Sequence, residues 1–84
     1  MVKKVLHLKQ VKQRTGLSSS EIYRRMALGL FPRQIHVGSH RVVWLEDEID
    51  GWFALRLSNS PDSQIKEAVD KMMVSRQNIY MFGL

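Results

Sequence analysis

A helix stop and a helix start fall within three residues of each other, at Gly16 and Ser18, and that junction constrains the fold more than any other feature. Lys9 to Thr15 (KQVKQRT) is rich in helix formers, and Gly16 follows where a left-handed residue commonly closes a helix. Ser18 then stands as an N-cap with Glu21 three residues later, the SxxE capping box, and Leu17 and Ile22 are placed to staple it. The pattern predicts a short first helix, a tight Thr15-Gly16-Leu17-Ser18 turn, and a second helix over Ser19 to Leu28. Gly29 ends that helix and Phe31-Pro32 sets an extended exit. Two helices so joined form a helix-turn-helix, in which the second helix enters a DNA major groove and the first braces it.

Helical spacing puts Ile22 and Met26 on a core face and Ser20, Tyr23, Arg24 and Ala27 on the other. The backbone N–H groups at Ser18, Ser19 and Ser20 lie at the positive helix end, which suits a phosphate. Charge supports the same partner. Up to Leu45 the chain carries nine bases against one acid, Glu21, a net +8, whereas the remainder has four bases against seven acids, a net −3. A field concentrated on one half attracts a polyanion and leaves the other half free for a second task.

Gln34-Ile35-His36-Val37, Gly38-Ser39 and His40-Arg41-Val42-Val43-Trp44 read as two β-branched runs around a two-residue turn. A hairpin directly after a helix-turn-helix is a wing, and its tip would offer Ser39, His40 and Arg41 to the DNA backbone or a minor groove. Val42 and Trp44 alternate inward, opposite Arg41. His36 and His40 flank the turn, but two imidazoles without a third ligand do not make a zinc site, and neither metal nor cofactor is expected.

Glu46-Asp47-Glu48 opens a third helix with three acids where the macrodipole favours them, followed by an apolar stripe of Ile49, Trp52, Phe53 and Leu57. Consecutive acids on a helix point apart and cannot converge for catalysis. After the polar break Ser58-Asn59-Ser60-Pro61-Asp62, with Ser60 as cap and Pro61 at the first helical position, a fourth helix is amphipathic. Its apolar residues are Ile65, Ala68, Val69, Met72 and Met73, and the chain closes on Ile79-Tyr80-Met81-Phe82-Gly83-Leu84. This apolar set either completes the chain's own core or forms a self-association surface made of Ile65, Val69, Met72, Met73, Tyr80 and Phe82.

At 84 residues the chain is long enough for one small core and too short to wall off a deep catalytic pocket, so an enzyme is not expected. It has no cysteine. Together with the lack of a spanning apolar run and of a signal-peptide h-region, this makes an unprocessed cytoplasmic, nucleoid-associated protein the expectation. The expected fold class is mainly α with a small β-hairpin: a winged helix-turn-helix over 1–58, then the amphipathic helix and apolar tail over 59–84.

Leu8-Lys9-Gln10-Val11, Thr15-Gly16-Leu17-Ser18, Ile22-Tyr23-Arg24, Gly29-Leu30-Phe31-Pro32, Val37-Gly38 and Trp44 through Asp50-Gly51-Trp52, in that order and spacing, resemble the AlpA family of prophage and genomic-island regulators. That family is related to winged-helix excisionases and the MerR-like DNA-binding domain. The resemblance covers about Leu6 to Leu57 and implies a sequence-specific binder of double-stranded DNA from a mobile element. It would act as an excisionase or as a transcriptional regulator of integrase or prophage genes. Carried over by position, the reading helix is Ser19 to Leu28 and the wing tip Gly38 to Arg41. Where such proteins often carry a base after the cap this chain has Ser19, so the recognised sequence does not transfer.

One short reading helix touches few base pairs, so several copies are expected on adjacent half-sites. Tyr23 and Arg24 would contact bases or phosphates, and Lys12, Arg33 and Arg41 the backbone. An integrase is a further expected partner for an excisionase. A different class of function, a protein-interaction module or inhibitor gripping its partner through the acidic half and apolar tail, is the competing expectation. RNA binding is disfavoured because no aromatic stacking sheet is present.

Overall fold

The computed structural model describes residues 4–82, with side chains as far as residue 76. Among these, the element order is β1 (Val5–His7), α1 (Leu8–Thr15), α2 (Ser19–Ala27), β2 (Ile35–His36), β3 (Val42–Leu45), α3 (Glu46–Leu57) and α4 (Asp62–Phe82). The result is the α+β winged helix-turn-helix architecture expected from the sequence.

Local chemistry sets the first two helices. Gln10 Oε1 accepts from the His7 N–H at 2.8 Å at the entry to α1. Gly16, at φ 74°, closes α1 by donating its N–H to the Lys12 carbonyl at 2.9 Å. The Ser18 hydroxyl accepts from the Glu21 N–H at 3.2 Å, a cap worth about 1 kcal/mol. The reciprocal half of the expected capping box is not made: the Glu21 carboxylate turns forward to Arg24 at 3.1 Å and Arg25 at 3.5 Å. Gly29, at φ 75°, ends the second helix with its N–H on the Met26 carbonyl.

The wing differs from expectation in two ways. Strand β3 is the centre of a three-stranded antiparallel sheet ordered β1-β3-β2, because Val5–His7 pairs with it opposite the hairpin partner, placing Leu6 across from Trp44. Val43, Trp44 and Leu45 are all buried, on both faces of the strand, where the sequence pattern puts only Val42 and Trp44 inward. The turn is also longer. His36 pairs with Val42, and the Val37 N–H donates to the Arg41 carbonyl at 3.0 Å, so Gly38, Ser39 and His40 form the loop in place of a two-residue Gly38-Ser39 turn. A two-residue primed turn needs a positive φ at its first central residue, and Gly38 does not adopt one.

A single core joins the sheet to the helices: Leu6, Val11, Ile22, Phe31, Trp44, Ile49, Trp52, Ile65 and Val69. Phe31 meets Trp52 edge-on, 4.7 Å between ring centroids. The indole N–H of Trp44 donates to the Pro32 carbonyl at 3.0 Å and that of Trp52 to the Leu30 carbonyl at 2.7 Å. Two tryptophans therefore fasten the segment that runs from α2 to the wing. The relative placement of reading helix and wing is set by this clamp.

The acids of α3 do more than complement its dipole. Arg14 Nη2 donates to Glu46 at 2.6 Å and Nη1 to Asp50 at 3.0 Å, tying α1 to α3. Glu48 is buried against Arg76 of α4, whose Nε donates to it at 2.8 Å, and Arg76 Nη2 donates to the Arg33 carbonyl at 2.6 Å. Leu57, expected on the apolar stripe, is 69% exposed because α3 ends there, beyond the core; Leu55 packs inward instead. At the start of α4 the Pro61 carbonyl accepts from Gln64 and Ile65, so the helix begins one residue after Pro61, without a cap from Ser60. Ile65 and Val69, assigned to a self-association surface, are enclosed at 1% and 3% exposure in the chain's own core. Met72 and Met73 are half-buried, and the side chains of Tyr80 and Phe82 lie outside the described residues.

Candidate nucleic-acid interface

The face of α2 away from the core presents Ser20, Tyr23, Arg24 and Ala27 to solvent, as Ile22 on the opposite face is fully buried. Tyr23 is 41% exposed, and among the described residues no aromatic ring stacks on it. Ser18 and Ser20 are exposed at the helix start, Ser18 with its hydroxyl oxygen engaged in the cap, whereas Ser19 is half-buried.

Tyr23, Met26 and Ala27 of the helix and Arg33 and Gln34 at the root of the wing line one groove of about 430 Å³. Here the fold brings together two residues singled out from the sequence, Tyr23 and Arg33. It also adds Ala27 and Gln34. Ala27 was legible as the next position on the Tyr23 face; Gln34 was not, because a glutamine at a strand entrance carries no local signal. Lys12 on α1 and Ser39, His40 and Arg41 at the wing tip stand exposed outside this groove, with Val37, 55% exposed, beside the tip.

The basic half is less uniformly free than its net charge suggests. Arg14 is committed to Glu46 and Asp50, and the hydrogen bond it donates to Glu46, with the attraction of both carboxylates, raises its already high pKa further. Glu21, the acid of this half, is held below the ordinary glutamate range, first by the Arg24 hydrogen bond and then by the Arg24 charge, with Arg25 adding to it. A carboxyl with a depressed folded-state pKa stabilises the fold above its unfolded pKa and loses that contribution as pH falls through the folded value. Glu21→Gln is therefore expected to lose less stability than the native chain between about pH 7 and about pH 4 in urea unfolding. Equal losses would show that the pair does not form in solution.

No group of three or more His, Cys, Asp or Glu able to hold a metal ion occurs among the described residues, and His36 and His40 both lie exposed. No described helix is long and apolar enough to cross a membrane.

The comparisons follow the same residues. The family model described as prophage CP4-57 regulatory protein (AlpA) matches residues 4–57, from the first strand to the last residue of α3. The uncharacterized protein ORF88 of Enterobacteria phage P4 is 38% identical over 53 residues, which cover 63% of this chain. The match spans 60% of the length of that relative. No solved structure matches the chain. With the family model covering both helices of the helix-turn-helix, the clamped Leu30-Phe31-Pro32 segment, the wing and α3, the chain belongs to the AlpA family of prophage regulatory proteins.

Proposed function

We propose that this chain binds double-stranded DNA sequence-specifically, with α2 in the major groove, and acts as an excisionase that bends DNA to promote integrase-mediated excision of its prophage or genomic island. The observation that carries the DNA reading is the groove shared by Tyr23, Ala27 and Arg33, which joins the reading helix to the root of the wing on the basic half of the chain. Backbone contacts fall to Lys12, Arg33, Arg41 and the wing-tip residues Ser39 and His40, and base reading to Ser20, Tyr23 and Arg24. One such module buries on the order of 600 to 1,000 Å² on DNA, so several copies on adjacent half-sites supply useful affinity. Met72 and Met73, half-buried, are described residues of the apolar set that remain partly open for contact between copies.

A second reading keeps the same DNA contacts and makes the protein a regulator of integrase or prophage genes, which the family description as a regulatory protein favours. Titration of the DNA flanking its gene in a gel shift with excess competitor tests what the two share. A ladder of competitor-resistant shifts is expected, with log K falling by about 0.9 per neutralised phosphate per decade of salt. Shifts that vanish with competitor would remove sequence-specific binding. Deleting the gene and quantifying excised junctions and integrase transcript separates the two roles: loss of junctions at constant transcript is the excisionase result, and parallel loss of both the regulator result.

A further inference from the structure

The helix outside the family match reaches the DNA-reading helix. The stem of Lys66 on α4 lies over Gly29, the residue that ends α2: its Cε and Cγ fall 3.6 and 3.9 Å from where a Cβ on Gly29 would sit. On a solvated helix Lys66 would pair with Asp62 or Asp70, four residues before and after it. It pairs with neither, and Glu67 is taken by Lys71 at 3.5 Å. The Lys66 side chain is exposed, so an ammonium with no ion-pair partner among the described residues is carried to the end of the reading helix at Gly29, which follows Leu28, itself 52% exposed.

Two roles suit a cation in that place. It can complement the negative C-terminal end of α2, or it can meet an anion on a partner that α2 approaches. A helix lying in a major groove about 12 Å wide runs between two rows of phosphates. Arg33 already faces the wing-side groove along α2. Lys66 arrives from another element, at the helix end.

We infer that Lys66 of α4 contacts a DNA phosphate at the C-terminal end of the reading helix, extending the DNA interface beyond the residues the family model matches. This assignment rests on the DNA-binding reading proposed above.

Lys66→Gln keeps most of the stem and removes the charge, and Lys66→Arg restores it. Against its flanking DNA, Lys66→Gln is expected to weaken binding about three- to tenfold, on specific and competitor DNA alike. The slope of log K against log salt should become shallower by about 0.9, and Lys66→Arg should recover both. If the native chain binds and Lys66→Gln leaves the salt slope unchanged, the assignment is overturned, and a lowered urea midpoint in that case leaves Lys66 as a helix-end cation only. Failure of the native chain to shift any DNA would overturn the underlying DNA reading, a result distinct from an unchanged slope.

Discussion

Alanine at Tyr23 or at Arg24 is expected to erase discrimination between the chain's DNA site and competitor DNA while leaving the unfolding transition nearly unmoved. Both side chains are exposed on the outer face of α2, and exposed substitutions away from caps and core usually change stability by no more than about 0.5 kcal/mol. A well-placed base contact is worth about 1–3 kcal/mol of discrimination, roughly five- to 150-fold, so loss of either residue should take a binder that relies on one short helix close to its non-specific floor. Arg24→Ala carries an additional effect. Arg24 is bonded to Glu21 in the free protein, and its removal leaves that carboxylate facing the DNA with less of its charge offset. Adding Glu21→Gln to Arg24→Ala should therefore recover part of the affinity but none of the discrimination. Arg41→Ala at the wing tip supplies the contrast, a weakening shared by all sequences together with a shallower salt dependence. Retention of discrimination by both Tyr23→Ala and Arg24→Ala would mean that α2 is not the reading element.

How far the sequence alone leads depends on the range of each interaction. The Gly16–Ser18 junction is legible because a left-handed glycine and an N-cap serine each act over four residues or fewer, and both stand where expected. The outer face of α2 is legible for the same reason, since helical period decides it. Strand β1 is not, because three residues cannot display an alternation and a basic N-terminal stretch reads as a tail. The unbroken apolar run Val42-Val43-Trp44-Leu45 signals a strand buried on both faces but does not say which segments pair along its edges. The acids of α3 showed the opposite problem: their dipole role is local and was read, whereas Arg14 and Arg76 come from 32 and 28 residues away, and nothing in the spacing announces them. The same holds for Ile65 and Val69, whose amphipathic pattern states that a face must be covered but not by what. The Tyr23–Arg33 groove combines both cases, one wall set by helical period and the other by the Trp44 and Trp52 clamp.

The most buried of these connections carries the second large expected effect. Glu48 and Arg76 have side chains only 9% and 12% exposed, and besides Glu48 the Arg76 guanidinium holds the carbonyl of Arg33 at the root of the wing. Removing one partner of a buried pair costs about 3–5 kcal/mol, because the other charge is left without compensation. Arg76→Met is accordingly expected to lose about that much in urea unfolding, a large part of the roughly 5–10 kcal/mol that holds a domain of this size. Replacing both residues, Glu48→Leu with Arg76→Met, should restore most of it, since a hydrophobic pair removes the desolvation cost along with the attraction. DNA binding should not recover in step. The double variant still lacks the donor to the Arg33 carbonyl, so the wing root is less firmly placed relative to α2, and affinity is expected to stay below native at native-like stability. If stability and affinity return together, Arg76 acts through the core alone. If Arg76→Met costs less than about 1 kcal/mol, the pair opens to solvent, and α4 is held by Ile65 and Val69 without it.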